Sequence, residues 1–221
     1  LDEFFQVRVA GLTDQLAGGI GRFSPDGLTP GQQLTQVAER VAQLVDRLEH
    51  IFLDELVPEL ASVGIVFSNW TTLDDDDRKY MVDEFETRIF PVLTPLAVDP
   101  GRPFPHISNL SLNLAVLLRN NLGQERFARV KVPQPLPRFV PVHDILRKYT
   151  GKRRGKRKSF VLLEEVISAN LTKLFPGMEI LESHPFRVTR NADMEIEEDE
   201  ASDLLETIEA GGTKVSTSSA P

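Results

Sequence analysis

A run of basic residues is the part of the chain with the clearest chemical character. Eight Lys or Arg residues and no Asp or Glu lie between positions 147 and 158. The densest part of the run supplies our candidates for polyanion binding: Lys152, Arg153, Arg154, Lys156, Arg157 and Lys158. Such a cluster attracts polyanions by releasing their counterions, and a solvated loop is the alternative. Only Tyr149 and Phe160 lie close enough in sequence to stack on bases, which argues against single-stranded nucleic acid.

Side chains that bind metals or act as nucleophiles are sparse. The chain has no Cys, and its four His residues, at positions 50, 106, 143 and 184, lack the spacing of a zinc site. His106 lies in a Pro-rich stretch without a positioned acid, so we expect a packing or surface role for it. The run from Asp74 to Asp77 would point in several directions on a helix, which favours a charged first turn over a metal site. The sequence contains no Gly-rich phosphate loop and no nucleophile elbow.

The net charge of −8 combines two opposed regions. Without the eight basic residues of the run, 17 basic and 33 acidic residues remain, a net charge of −16. This acidic body argues against nucleic acid as a general partner. No apolar stretch reaches 18 residues, so no membrane span is predicted. The lack of Cys suits a reducing compartment, and we expect a cytoplasmic protein, with peripheral attachment to the inner face of the membrane as the alternative.

The first part of the chain has the pattern of a long helix. Thr29, Pro30 and Gln32 have the residue types of a capping box at a helix start. Apolar residues then recur at steps of three and four over residues 34–52, and Pro58 should kink or end the helix. A long amphipathic helix needs partners, so we predict a helical bundle.

The second part of the chain has the pattern of strands. Alternating apolar and polar residues predict strands over residues 110–118 and 127–132, and shorter strand candidates lie at 139–142, 159–163, 178–181 and 186–189. Helices are predicted over residues 164–175 and 201–208. The expected fold class is therefore α followed by α+β. We place an N-terminal helical domain at 1–96, a mixed α+β domain at 97–209, and a disordered or non-native tail at 210–221.

Six blocks of the sequence carry a resemblance to a known family. They are residues 1–12, 90–106, 107–116, 127–133, 174–180 and 186–196. The first block reads LDEFFQVRVAGL and the last reads FRVTRNADMEI. In the same order, these blocks closely resemble bacterial polyphosphate kinases of the phosphohistidine type.

The resemblance implies the helical and head domains of a four-domain enzyme whose last two domains are phospholipase-D-like. That enzyme would transfer the terminal phosphate of ATP reversibly to polyphosphate, releasing ADP, through a phosphorylated His and with Mg²⁺. The head domain would contribute to a homodimer or tetramer. The nucleophilic His belongs to the missing C-terminal half, and the chain begins at Leu1, so we expect a piece of a longer chain. Alone it should be inactive, with no ATP or Mg²⁺ bound.

The resemblance also places Asp2, Glu3 and Arg8 beside the adenine contact of the family. Arg8 could then face the phosphate path, since a guanidinium suits phosphate oxygens. An ion pair of Arg8 with Asp2 or Glu3 is the alternative.

Arg187 and Arg190 are the remaining candidates for phosphate binding. Residues three apart in a regular strand point to opposite faces, so these two could not share one phosphate. The acid-rich residues 193–200 follow closely and favour local ion pairing for both.

The residues leave a function of a different class open. A stand-alone dimerisation or polyanion-binding module would use the basic run at 147–158. Salt-dependent polyanion binding that disappears when this run is deleted would favour that function over the kinase fragment.

Overall fold

The structure is a computed structural model that describes residues 1–21, 23–98, 107–142 and 158–191. These residues divide into two compact units. The first unit contains residues 1–41 with 189–191, and the second contains residues 42–188. The predicted helix at 201–208, the tail at 210–221 and most of the basic run lie outside the described residues.

The first 50 residues are helical on either side of a Gly-rich loop. Their elements are α1 (Asp2–Phe4), a π-helical turn (Phe5–Val9), α2 (Ala10–Ala17) and α3 (Pro30–His50). The backbone N–H of Thr29 donates to Gln32 Oε1 at 2.9 Å, and the N–H of Gln32 donates to Thr29 Oγ1 at 3.3 Å. This reciprocal pair confirms the predicted capping box at the start of α3.

The helical path continues past Pro58, which was expected either to kink the helix or to end it near Val57. A π-helical turn (Ile51–Leu56) follows α3, and α4 (Val57–Ser62) follows that turn. Of the two outcomes expected of Pro58, an end near Val57 is therefore not observed, and the regular α-helix changes to a π turn just before the proline. A π turn is wider than an α turn, which leaves room for the ring of Pro58 where it would otherwise clash with the preceding turn. The path ends at Gly64, whose φ of +88° suits glycine.

The rest of the second unit alternates short helices and strands. In chain order these are β1 (Ile65–Phe67), a 3₁₀ turn (Trp70–Thr72), α5 (Asp75–Glu84), a π turn (Phe85–Ile89), a second 3₁₀ turn (Phe90–Val92), β2 (Pro95–Val98), β3 (Leu112–Arg119), β4 (Glu125–Lys131), β5 (Phe139–Val142), β6 (Lys158–Leu162), α6 (Leu163–Ala169), α7 (Leu171–Leu174) and β7 (Glu179–Arg187). The first four predicted strands are confirmed to within about two residues. The predicted helix at 164–175 is interrupted at Asn170. The last two predicted strands form one strand, β7, and β1 and β2 were not predicted.

The described strands form two sheets. One has the order β1-β6-β5, with β1 parallel and β5 antiparallel to β6. The other has the order β2-β4-β3-β7 and is antiparallel throughout. The β3–β4 hairpin turns at Asn120–Gly123, with Gly123 at a φ of +75°. Asn120 Oδ1 accepts the N–H groups of Leu122 and Gln124 at 3.0 and 2.9 Å.

Helix α6 occupies the centre of the core of this unit. It contacts β6 of the three-stranded sheet and β3 of the four-stranded sheet. Val166 and Ile167 are fully buried in one cluster with Phe85 of the preceding π turn and Val116 of β3. Burial of these apolar side chains therefore joins both sheets and the helices into one core.

Two carboxylates on α6 bind neighbouring segments. Glu164 is buried and accepts two hydrogen bonds from Arg138, from Nη2 at 2.6 Å and from Nε at 3.0 Å. This bond raises the pKa of the Arg138 guanidinium. Glu165 accepts the backbone N–H of Trp70 at 2.7 Å. The polar groups at the N-terminus of α6 therefore keep partners inside the packed unit.

The four consecutive Asp residues form a helix start. Asp74 is the N-cap of α5, and its Oδ1 accepts the backbone N–H of Asp77 at 2.8 Å. Asp75, Asp76 and Asp77 follow in the first turn, where the helix dipole favours negative charge. The predicted charged first turn is confirmed.

Replacing Asp74 with Ala should lower the free energy of unfolding by about 1 kcal/mol, because the N-cap acceptor is lost. Asp76→Ala is the matched control, which removes a first-turn acid but no cap and should cost less than about 0.5 kcal/mol. Asp74→Asn should behave like the unchanged chain, since Asn also caps helices. Urea unfolding of the three variants measures the differences. Equal losses at positions 74 and 76 would contradict the capping role of Asp74.

Candidate functional site

A cleft of about 220 Å³ in the first unit is the best candidate for ligand binding among the described residues. We name it the Arg8 cleft. Its lining residues are Phe4, Arg8, Leu12, Asp26, Leu28, Gln33, Gln36, Val37 and Arg40. They come from the helical segment at 1–17, the loop before α3 and the first half of α3. The cleft thus combines apolar walls with two guanidinium groups, two carboxamides and one carboxylate.

The predicted phosphate ligand Arg8 lies in this cleft. It is exposed on the π turn Phe5–Val9, and its Nη2 donates to Gln33 Oε1 at 2.7 Å. Gln33 also donates from Nε2 to the backbone carbonyl of Leu28 at 3.4 Å. The carboxamide of Gln33 thus links the guanidinium to the loop before α3. A guanidinium has five N–H donors, so this bond leaves others to bind phosphate oxygens.

Asp26 brings a negative charge to the rim of the cleft. A hydrogen bond from Ser24 is the largest cause that lowers the pKa of the Asp26 carboxyl, and a hydrogen bond from its own backbone N–H adds to it. The positive charge of Arg8 lowers this pKa further, by the smallest contribution. Asp26 therefore stays ionised at neutral pH and offsets part of the positive charge of Arg8 and Arg40.

The other predicted site residues of the first block do not line the cleft. Asp2 and Glu3 form the first turn of α1, where Asp2 is half-buried and Glu3 is exposed. Acids in a first turn interact favourably with the helix dipole. Of the three residues that the resemblance placed together, the structure puts Arg8 alone into the cleft.

Arg187 and Arg190 occupy different surroundings. Arg187 is the last residue of β7, is exposed and lies opposite Leu112 of β3. Arg190 follows the end of that strand and is half-buried. Because Arg190 lies outside β7, strand periodicity does not determine the direction of its side chain. The prediction that Arg187 and Arg190 point to opposite faces of a regular strand therefore does not apply.

The basic run is described at one position. Lys152, Arg153, Arg154, Lys156 and Arg157 lie outside the described residues. Lys158 is the first residue of β6, its side chain is exposed, and its backbone N–H donates to the carbonyl of Gly64 at 2.7 Å. Lys158 is therefore part of a strand, and its role in polyanion binding stays a prediction.

The sequence did not point to four polar residues of the cleft, three on α3 and one in the preceding loop. Gln33, Gln36 and Arg40 lie on α3 at steps of three and four, which places them along one side of the helix. The same helix carries an apolar stripe, and polar residues at helical spacing beside such a stripe are typical of an ordinary solvated face. Asp26 lies in a Gly-rich loop, where no periodicity points to it.

The described side chains show no metal site. Among residues 1–21, 23–98, 107–142 and 158–191, no group of three or more His, Asp or Glu is arranged to hold a metal ion. His50 pairs with Asp54 at 2.6 Å on an exposed part of the helix, and neither lines the cleft. No helix in this part of the chain has both the length and the apolar character that crossing a bilayer requires.

Two family models match the chain almost end to end. The model of the polyphosphate kinase N-terminal domain matches residues 1–68. The model of the polyphosphate kinase middle domain matches residues 76–214. The chain belongs to the polyphosphate kinase family. The resemblance found in the six sequence blocks is thereby confirmed.

Known polyphosphate kinases from mycobacteria are similar over nearly the whole chain. The enzyme of Mycobacterium avium (strain 104) is 49% identical over 210 residues, which is 95% of this chain and 29% of that protein. The enzyme of Mycolicibacterium gilvum (strain PYR-GCK) is 48% identical over 210 residues, with 95% and 28% covered. The chain thus spans less than a third of the length of these polyphosphate kinases.

A solved structure of the family has the same fold. The crystal structure of polyphosphate kinase from Porphyromonas gingivalis superposes with a TM-score of 0.71 at 28% identity. The match covers 87% of this chain and 27% of that one. The helices and mixed sheets described above are therefore those of a polyphosphate kinase.

The pKa of Asp26 gives a test of the cleft geometry. Because that pKa is lowered in the folded chain, the ionised carboxyl stabilises the fold above its unfolded pKa, and this contribution is lost as pH falls through the lowered value. Ser24→Ala should raise the pKa of Asp26 towards its ordinary value. Arg8→Gln should raise it less, because the charge of Arg8 is the smaller cause. NMR titration measures the pKa of the Asp26 carboxyl in the unchanged chain and in the two variants. A larger rise of this pKa in Arg8→Gln than in Ser24→Ala would contradict this geometry.

Proposed function

We propose that this chain is the N-terminal and head portion of an enzyme that transfers the terminal phosphate of ATP reversibly to polyphosphate. One observation carries the proposal: the chain matches the N-terminal and middle domains of polyphosphate kinases consecutively, yet spans under a third of those proteins. Phosphoryl transfer then depends on the part that follows the middle domain. The division into a helical domain at 1–96 and an α+β head at 97–209 belongs to this proposal.

In this proposal the Arg8 cleft binds phosphoryl groups. The planar guanidinium groups of Arg8 and Arg40 carry hydrogen-bond donors in a geometry that matches phosphate oxygens. The carboxamides of Gln33 and Gln36 add neutral hydrogen-bonding groups beside the two guanidinium groups. Polyphosphate, or the phosphates of ATP and ADP, would occupy the cleft as an extended anion.

The remaining parts of the reaction lie elsewhere. The described carboxylates do not form a cluster suited to Mg²⁺, so we assign no step to a metal on these residues. The exposed pair His50 and Asp54 lies four residues apart on a helical segment and does not line the cleft, so His50 is not assigned as the phosphorylated residue. Self-association through the α+β head and a cytoplasmic location complete the proposal.

If phosphoryl transfer depends on the part that follows the middle domain, the 221-residue chain does not make polyphosphate alone. Activity should appear when the chain replaces the matching part of the Mycobacterium avium enzyme, a protein that we name the avium chimera. An assay of ATP-dependent polyphosphate synthesis compares the chain, the avium chimera and the unchanged M. avium enzyme. Turnover by the isolated chain would overturn the fragment proposal, as would an inactive but folded avium chimera.

The cleft predicts which arginines bind polyphosphate. In the avium chimera, Arg8→Gln or Arg40→Gln should raise KM for polyphosphate about tenfold, equivalent to ~1.4 kcal/mol of lost binding, with kcat little changed. Arg47→Gln is the matched control, because Arg47 lies on the same helix but does not line the cleft. Steady-state kinetics at fixed ionic strength measures the effect. Equal changes in all three variants would show that the cleft does not bind the substrate.

A further inference from the structure

The outer face of the three-stranded sheet is apolar and partly exposed. Strand β5 alternates, with Val140 and Val142 buried in the core while Phe139 and Pro141 are exposed on the other side. The register pairs Phe139 with Leu162 and Pro141 with Phe160, and it pairs Phe160 with Phe67 of β1. The side of the sheet away from the core is thus formed by Ile65, Phe67, Phe139, Pro141, Phe160 and Leu162, with Lys158 at its edge. We name this set the outer sheet face.

A row of aromatic rings continues the outer sheet face onto the helical path. The rings of Phe139 and Phe67 have centroids 5.5 Å apart, and those of Phe67 and Phe52 are 6.3 Å apart. Phe52 lies in the π turn Ile51–Leu56, with Leu48 and Leu56 four residues to either side. All three of these helical residues are exposed, by 45% to 63%. The apolar surface therefore extends from the sheet along one side of the helix.

The chemistry of this surface excludes a polyanion as its occupant. Apart from Lys158 at the edge, the outer sheet face carries no charged side chain and no polar one. Exposed aromatic and aliphatic side chains that form a continuous surface usually pack against apolar side chains of a partner. The partner is therefore a protein surface rich in apolar residues.

The pairing of β1 with β6 indicates where that partner comes from. Within this mixed sheet β1 and β6 are parallel, and parallel strands occur mostly in sheets that are covered on both faces. Polyphosphate kinases continue well beyond the middle domain, with more than two thirds of their length outside the region that matches this chain. The part of the enzyme that follows the middle domain can therefore cover the outer sheet face.

From these observations we propose that the outer sheet face, with Leu48, Phe52 and Leu56, docks the part of the polyphosphate kinase chain that follows the middle domain. The proposal rests on the proposed function, since it needs that part to exist in the complete enzyme. It assigns these apolar residues a role in positioning the catalytic part relative to the head. A second copy of the chain on the same face is the competing occupant.

Side-chain footprinting tests whether the face is covered. Hydroxyl radicals should oxidise Phe139 and Phe52 readily in the dilute 221-residue chain and at least fivefold more slowly in the avium chimera. Leu122 is the internal reference, because it is 82% exposed in the β3–β4 turn, away from the face. Equal oxidation of Phe139, relative to Leu122, in the two proteins would overturn the docking proposal.

Cross-linking identifies the occupant. With p-benzoylphenylalanine at position 139 of the avium chimera, the cross-linked peptide should come from the part that follows residue 214, and with the same group at position 122 it should not. A peptide from residues 1–214 of a second copy would overturn the proposal, as would concentration-dependent protection of Phe139 in the isolated chain. The activity of the unlabelled avium chimera, measured in parallel, tests the proposed function separately. An active avium chimera with an uncovered face refutes the docking alone.

Discussion

Helix α6 has seven residues, and the packing of the second unit depends on burying it between two sheets. Val166 and Ile167 contact the core cluster, while the helix reaches β6 on one side and β3 on the other. A helix this short has little stability of its own, so its conformation comes from that burial. The hydrophobic contacts of α6 therefore hold together two sheets that share no strand.

Burying the N-terminus of α6 also requires partners for its acids. Glu164 accepts two hydrogen bonds from Arg138, a residue that lies just before β5. Glu165 accepts the backbone N–H of Trp70, which lies just after β1. The two edge strands of the three-stranded sheet are thus each connected to the same helix by a charged hydrogen bond. This arrangement fixes the position of that sheet, and with it the side on which its aromatic residues emerge. The geometry of the Arg8 cleft depends on the capping box at Thr29 and on the bond from Arg8 to Gln33, which lies 25 residues further along the chain.

The sequence allowed local features to be predicted better than those that join distant segments. The capping box at Thr29 and the hairpin turn at Asn120 were predictable because each depends on residues within four positions. Strand β1 was missed because three consecutive apolar residues have no periodicity, and its partner β6 lies more than 90 residues later. The family was evident from the sequence blocks. Of the cleft residues, Arg8 was predicted from the sequence. Asp26 and Arg40 were missed because they reach the cleft from a loop and a helix distant from Arg8 in the sequence.

The π turn at Ile51–Leu56 makes this region sensitive to changes in chain length. Each residue of an α-helix turns the path by about 100° and advances it by about 1.5 Å. Losing one residue from the turn would give α4 a regular register with α3, but would rotate α4 away from β1, which it contacts. Deleting one residue from this turn would therefore also shift β1 out of its register with β6.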